Sequence, residues 1–207
     1  VLPARLVRKL GELCRDEGVT QFMALLAGFQ ALLHRYTGQE DLVVGSPIAN
    51  RNRSEIEGLI GFFVNSLVMR TDVSGDPSFE ELLARVREAS LGAYDHQDLP
   101  FEKLVEELHP GRDLANNPLF QVVFAVQNAP WVPPALPDLE VSPFARETTA
   151  TRFDLEVHVF GHAEGLVAHF VYNADLFEAS TVERMSRQYV RLLESAVEGP
   201  GSRVSAL

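Results

Sequence analysis

The sequence predicts a mixed α/β (α+β) fold: a mixed β-sheet covered by helices. Three observations predict it. About five helical and five or six strand-like segments are intermixed along 207 residues. Two helices come first, then strand, strand, helix, helix, strand, hairpin and helix, an order that suits a mixed sheet with helical cover. Apolar residues make up 46% of the chain, ample material for a buried core.

The elements follow in order from apolar spacing and punctuation. Leu6, Leu10, Leu13 and Cys14 recur at helical intervals, and Gly18 ends that segment. Thr20 is placed as an N-cap for a second, wide-faced helix carrying Phe22, Leu25, Leu26, Phe29, Leu32, Leu33 and Tyr36, with Gly38 just past its end. Leu42 to Ile48 is a short buried strand that breaks at Pro47, and a polar loop follows from Asn50 to Gly58. Ile60 to Val73, rich in β-branched and aromatic residues, is expected to be a central strand. Ser78 and Glu81 make a capping box for the next helix. Pro100 opens another, with Phe101, Leu104, Val105 and Leu108 on one face and Pro110-Gly111 as its stop. Leu119 to Val126 has almost no polar interruption, which predicts a strand buried on both faces. Five prolines between Pro130 and Pro143 predict an extended connection. Phe153 to Phe160 and Leu166 to Tyr172 alternate around Gly161–Gly165 as a hairpin. Ser180 and Glu183 suggest a second capping box for a last helix through Val182, Met185, Tyr189, Leu192, Leu193 and Ala196, ended by Gly199.

Charge and composition narrow the function. Lys and Arg total 18 against 29 Asp and Glu, a formal charge of −11. So acidic a surface repels phosphate backbones and anionic lipid, so neither nucleic acid nor a membrane is an expected partner. No apolar run reaches the roughly 18 residues of a membrane span, and no signal-peptide pattern is present. A single cysteine, Cys14, rules out an internal disulfide. These features favour the cytosol, and there Asn52-Arg53-Ser54 is read as a chance glycosylation triplet. The chain starts at Val1, as expected for a piece of a longer polypeptide.

No catalytic set emerges from residue types alone. Ser46 lacks the second glycine of a nucleophile elbow and reads as a strand-end serine. Cys14 falls on an apolar helix face, as a packed thiol does. His158 and His162 straddle a strand end without a supporting acidic ligand, so no metal site is expected. His169 alternates with Val167 and Val171 on one strand face, and His34 with Arg35 closes a helix, where positive charge suits the dipole. No glycine-rich phosphate loop occurs.

Three clusters are left over: Gly45–Arg53 (GSPIANRNR), Ile60–Asn65 (IGFFVN) and His96–Arg112 running on to Asn117–Val122. In this order they resemble the condensation domains of nonribosomal peptide synthetases. Ile60–Ser66 is similar to that family's IGxFVNT motif, with Ser66 in place of Thr. His96–Glu102 is similar to HQDxPFE, Asn117–Val122 to NPLFQV, and Arg152–Leu155 to RxDL. The family's active-site signature, HHxxxDG, has no counterpart, for no His-His pair occurs.

The resemblance implies residues 1–207 to be the C-terminal subdomain, one lobe of a chloramphenicol acetyltransferase-like two-lobed fold, without the N-terminal lobe that carries the catalytic histidine. It implies amide formation between two carrier-bound thioesters, with no catalytic residue in this lobe and no cofactor bound directly beyond the phosphopantetheine arms of the carriers. Implied partners are the N-terminal lobe, peptidyl carrier proteins and an adjacent adenylation domain. By the same resemblance the loop Asn50–Gly61 forms the tunnel floor, and residues 130–143 cross to the other lobe. Candidate tunnel contacts are Gly45, Ser46, Asn50, Arg51, Gly61 and Asn65. Asn65 can both donate and accept, glycines allow close approach of a pantetheine chain, and Arg51 can hold the floor loop or meet a phosphate. His96, Asp98, Asn117, Gln121, Arg152 and Asp154 are expected to keep the fold, Asp154 through a salt bridge or cap. Competing readings are a carrier or domain docking module, and a lobe of a related epimerisation domain or stand-alone acyltransferase.

Overall fold

A computed structural model describes residues 1–51, 53–108, 117–127, 136, 139, 150–162 and 165–207. The extended connection expected over 130–143 lies outside these, apart from Leu136 and Leu139, as do Asn52 of the triplet, the Pro110-Gly111 stop and Ala163-Glu164 of the hairpin turn.

Among the described residues the elements run β1 (Leu2–Pro3), α1 (Ala4–Asp16), α2 (Gln21–Thr37), β2 (Asp41–Ile48), α3 (Ser54–Glu57), β3 (Asn65–Asp72), α4 (Phe79–Asp95), α5 (Phe101–Leu108), β4 (Val122–Gln127), β5 (Leu155–His162), β6 (Gly165–Tyr172) and α6 (Ala179–Glu198). They form one mixed sheet in the order β1-β6-β5-β4-β2-β3. β4 is parallel to both of its neighbours, whereas β2–β3 and β5–β6 are antiparallel. The expected fold class is thus the observed one.

Caps set the helix ends as their chemistry requires. Thr20 Oγ1 accepts from the Met23 N–H, and Gly38 closes α2 at φ 67° with its N–H on His34 O. Ser78 and Glu81 make the reciprocal capping box of α4. α1, α2, α4 and α6 cover one face of the sheet. From Met23 to Leu33 every residue of α2 is buried, and Phe29 stacks on Phe124 of β4 at 5.3 Å. Cys14 is a packed thiol there, its pKa pushed up by burial.

Alternate strand residues feed that core: Leu42 and Val44, Leu67 and Met69, Phe124, and Leu155, Val157 and Val159. The intervening residues point to the other face. Register aligns Gly45, Val123 and Glu156 in one row across β2, β4 and β5, and Ala125 with His158 in the next. Val123, Phe124 and Ala125 are all buried, so β4 is covered on both faces as its unbroken apolar run suggests.

Several expectations are corrected. Ile60–Val73 is not a central strand: β3 lies at the sheet edge and begins at Asn65. Residues 60–64 precede it as a loop in which Ile60 and Phe62 stand in solvent, Phe62 at 89% exposure, so apolar content alone misassigned them. β3 alternates in burial and ends outward in Arg70 and Asp72, charges that suit an edge. Pro47 does not break β2, which pairs with β3 as far as Ile48 and meets β4 only at Gly45. A Pro beyond that point interrupts no ladder on the β4 side. α6 starts with Glu178 as N-cap and no side-chain cap, so Ser180 and Glu183 lie inside the helix and form no capping box. β4 starts three residues later than its apolar run because Leu119 turns at φ 69°. The loop over 50–58 contains the single turn α3, and β1 is an added edge strand on β6.

Candidate functional site

On the sheet face opposite α1, α2, α4 and α6 lies a cavity of about 470 Å³. Its wall is aromatic: Phe101 of α5 meets Phe120 at a tilt, with ring centroids 5.3 Å apart, and Phe120 stacks on Phe153 at 5.6 Å. Phe62, Val64 and Val123 extend the apolar lining, and Ser46, Asn65, Glu102, Asn117, Arg152, Glu156 and His158 add polar groups.

Gly45 is what lets this wall form. A Cβ built on it would lie 2.1 Å from Cε2 of Phe120, so the ring rests directly on the β2 backbone. The open space above Gly45 is therefore filled by the protein's own phenyl ring. Ser46, next to it, is buried within β2 and lines the cavity as well.

Asn65 also lines the cavity, yet its amide is taken up internally. Nδ2 donates to Gln97 O at 2.9 Å and Leu99 O at 2.8 Å, and Oδ1 accepts from the Phe101 N–H at 3.0 Å. One buried side chain thus ties the turn between α4 and α5 to the first residue of the edge strand. Within that turn His96 is the exposed C-cap of α4, its N–H on Ala93 O and its carbonyl accepting from Leu99 N–H. Asp98 is exposed.

Asn50, Arg51 and Gly61 do not line the cavity. Asn50 sits at φ 51°, a left-handed position that Asn tolerates, and turns the chain into the loop. Arg51 gathers that loop, donating to the carbonyls of Ile56 (2.5 Å), Glu57 (3.3 Å), Leu59 (2.9 Å) and Gly61 (3.3 Å). Its guanidinium also lies 4.3 Å over the Phe63 ring, which occupies the side-chain space Gly61 leaves open. Of the two roles foreseen for Arg51, these bonds correspond to holding the loop.

Asn117, Gln121, Arg152 and Asp154 come together as one strap. Asn117 Nδ2 donates to Arg152 O at 2.7 Å, Gln121 Nε2 donates to Asn117 O at 2.9 Å, and the Asp154 N–H donates to Gln121 O at 2.9 Å. These bonds run through main-chain oxygens, and the described residues show no Arg152–Asp154 ion pair. The strap fixes Phe120 against Phe153.

Sequence reasoning weighed His158 only as a metal ligand, with His162, and passed over Glu156; neither sits in a recognised motif. Their signal is the period-2 alternation of β5, which places both on the cavity face. Glu156 Oε2 is 3.0 Å from His158 Nε2, and Glu156 Oε1 accepts from Thr151 Oγ1 at 2.6 Å and from the Arg152 N–H at 3.3 Å. Burial raises the pKa of Glu156, but the hydrogen bonds from Thr151, His158 and the Arg152 N–H outweigh it and hold the carboxyl below its ordinary value.

A family model described as the condensation domain matches residues 1–207. The chain is 51% identical over 207 residues to one of the proteins that make up the linear gramicidin synthase of Brevibacillus parabrevis, covering 99% of this chain and 3% of that protein. It is 44% identical over 206 residues to a dimodular nonribosomal peptide synthase of Bacillus subtilis, covering 97% of this chain and 9% of the synthase. The chain thus spans a small part of the length of these relatives. Among solved structures it is similar to the X-domain from teicoplanin biosynthesis, with TM-score 0.91 and 33% identity over 100% of this chain and 48% of that one. A complex of that X-domain with OxyB matches at TM-score 0.86 and 32% identity, over 100% of this chain and 46% of that one.

Proposed function

The chain belongs to the condensation domain family, and from that premise we propose that it is the C-terminal lobe of an amide-forming domain in nonribosomal peptide biosynthesis. On this reading it forms one half of a chloramphenicol acetyltransferase-like pair. The N-terminal lobe brings the catalytic histidine, and carrier proteins beside an adenylation domain bring the substrates on phosphopantetheine arms. An acceptor amine attacks the donor thioester carbonyl; the C–N bond forms, the C–S bond breaks, and the thiol is released. The aromatic-walled cavity becomes part of the tunnel wall, with Gly45 and Ser46 beneath it. Asn65, Asn50, Arg51 and Gly61 act one step back, by holding the floor loop and the α4–α5 turn in place. The family match over the whole chain carries the reading, together with a span of only 48% of the X-domain chain at TM-score 0.91.

Two carrier proteins, each loaded with an aminoacyl thioester, test it by intact mass. Dipeptide is expected on the acceptor carrier only when this chain and a separately expressed N-terminal lobe are both present. Dipeptide from the chain alone would refute the composite site. A second reading, a docking module, draws on the X-domain solved with OxyB. Tight binding of a carrier or neighbouring domain without any dipeptide from the two lobes together would favour it.

A further inference from the structure

Glu156 and His158 form a unit that the motifs do not include. Both side chains are largely buried, at 16% and 24% exposure, and both line the cavity. Glu156 has both oxygens engaged, one by Thr151 Oγ1 and the Arg152 N–H, the other by His158 Nε2. An ionised carboxylate can only accept, so Nε2 carries the hydrogen in that contact. In the neutral ring the remaining lone pair is then on Nδ1, and among the described residues no protein group meets it. The cavity it lines has the phenyl rings of Phe101, Phe120 and Phe153 in its wall beside the polar groups named above. A hydrogen-bond acceptor in such surroundings is costly to leave unmatched, and any donor that arrives is favoured.

We propose that His158, oriented by Glu156, contacts the thioester-bound substrate by accepting a hydrogen bond at Nδ1 from a substrate N–H, an inference that rests on reading the cavity as part of the substrate tunnel. His158 is then a substrate-binding residue and Glu156 a positioning residue that fixes its tautomer. Two substrate groups share the required chemistry: the backbone amide N–H of an acylated donor and the amine of the acceptor.

The test uses the intact synthetase module that carries this segment, with loaded carriers on both sides. Two donors are compared, an N-acyl aminoacyl thioester and its ester analogue with oxygen in place of the N–H. If the donor amide is the partner, wild type prefers the amide by about tenfold in kcat/KM, and His158→Leu brings the ratio to about one. If the acceptor amine is the partner, the ratio stays fixed in His158→Leu while KM for the acceptor carrier rises about tenfold. The amide-to-ester ratio is internal to each sample, so it does not depend on the fraction of protein folded. His158→Ala is the second variant should Leu prevent folding, with the same expectation. Glu156→Ala is expected to reproduce the His158→Leu phenotype, and the double variant to add nothing further. An amide-to-ester ratio and an acceptor KM both unmoved by His158→Leu and His158→Ala would overturn the inference while leaving amide formation intact. Absence of any amide from the wild-type module would overturn the reading of function as well.

Discussion

Replacing Asn65 by alanine removes three hydrogen bonds of 2.8–3.0 Å at a residue that is only 9% exposed. Each such bond contributes about 0.5–1.5 kcal/mol net, so together they would give about 3 kcal/mol. The Gln97 and Leu99 carbonyls lie in a turn that is half-buried to exposed, and water can replace the lost donors there. The Phe101 N–H, in the first turn of α5 where no helix carbonyl can accept it, loses its acceptor. The expected loss for Asn65→Ala is therefore about 2 kcal/mol. Asn65→Asp should cost more at neutral pH. It retains the acceptor for Phe101 but sets a carboxylate oxygen against two carbonyl oxygens. That repulsion lifts the carboxyl pKa in the folded state, so the Asp variant regains stability as pH falls and the group protonates. Urea unfolding gives the stability, and amide exchange at Phe101 reports the local consequence. If both variants fall within about 0.5 kcal/mol of wild type, or if the Phe101 amide exchanges no faster, Asn65 does not clamp the turn.

Gly45→Ala forces Phe120 off β2 and should cost about 1–3 kcal/mol in urea unfolding; adding Phe120→Ala should recover part of that loss, and strict additivity would show that the two do not touch. Gln30 is fully buried in α2 with neither side-chain polar atom hydrogen-bonded, so Gln30→Met should raise stability by about 1 kcal/mol, whereas a loss of that size would mean its amide is satisfied. Arg51→Ala should leave the unfolding midpoint nearly unchanged yet speed limited proteolysis between residues 54 and 63; an unchanged cleavage rate would show that the four carbonyl contacts do not order the loop. The Glu156 carboxyl is held below its ordinary value, so its stabilisation is full above the unfolded value of about 4.3 and is lost as pH falls through the folded one. The stability gap between wild type and Glu156→Gln should accordingly close between neutral pH and pH 3, and a constant gap would refute that contribution.

The fold was legible wherever local chemistry agrees with tertiary context. Thr20, Gly38, Ser78 and Glu81 mark helix ends through main-chain hydrogen bonds that they make themselves, so their signal is complete within a few residues. It failed where the deciding partner is remote. Ser180 and Glu183 have the spacing of a capping box, but α6 was already under way from Glu178. Ile60 to Val64 have the composition of a strand, yet residues 56–61 are gathered by Arg51 and the edge strand starts only where Asn65 finds the α4–α5 turn. Sheet position was equally hidden. Nothing local to β3 says that β2 separates it from β4, because that depends on where residues more than fifty positions later choose to pair.

The motif residues divide in a way that residue type alone does not reveal. Asn65, Asn117 and Gln121 are amides whose donors end on main-chain oxygens, and Arg51 does the same with its guanidinium. Groups saturated internally shape a site without reading what enters it. Gly45 does likewise by its lack of a side chain, since the phenyl ring above it is the protein's own. The imidazole of His158 also lines the cavity, outside every motif and held by a carboxylate on the same strand. Positions that hold the cavity's walls in place and a position such as His158 thus come from different parts of the sequence. The first are legible because one architecture demands them, whereas the second follows from strand register and the hydrogen bonds left unmade.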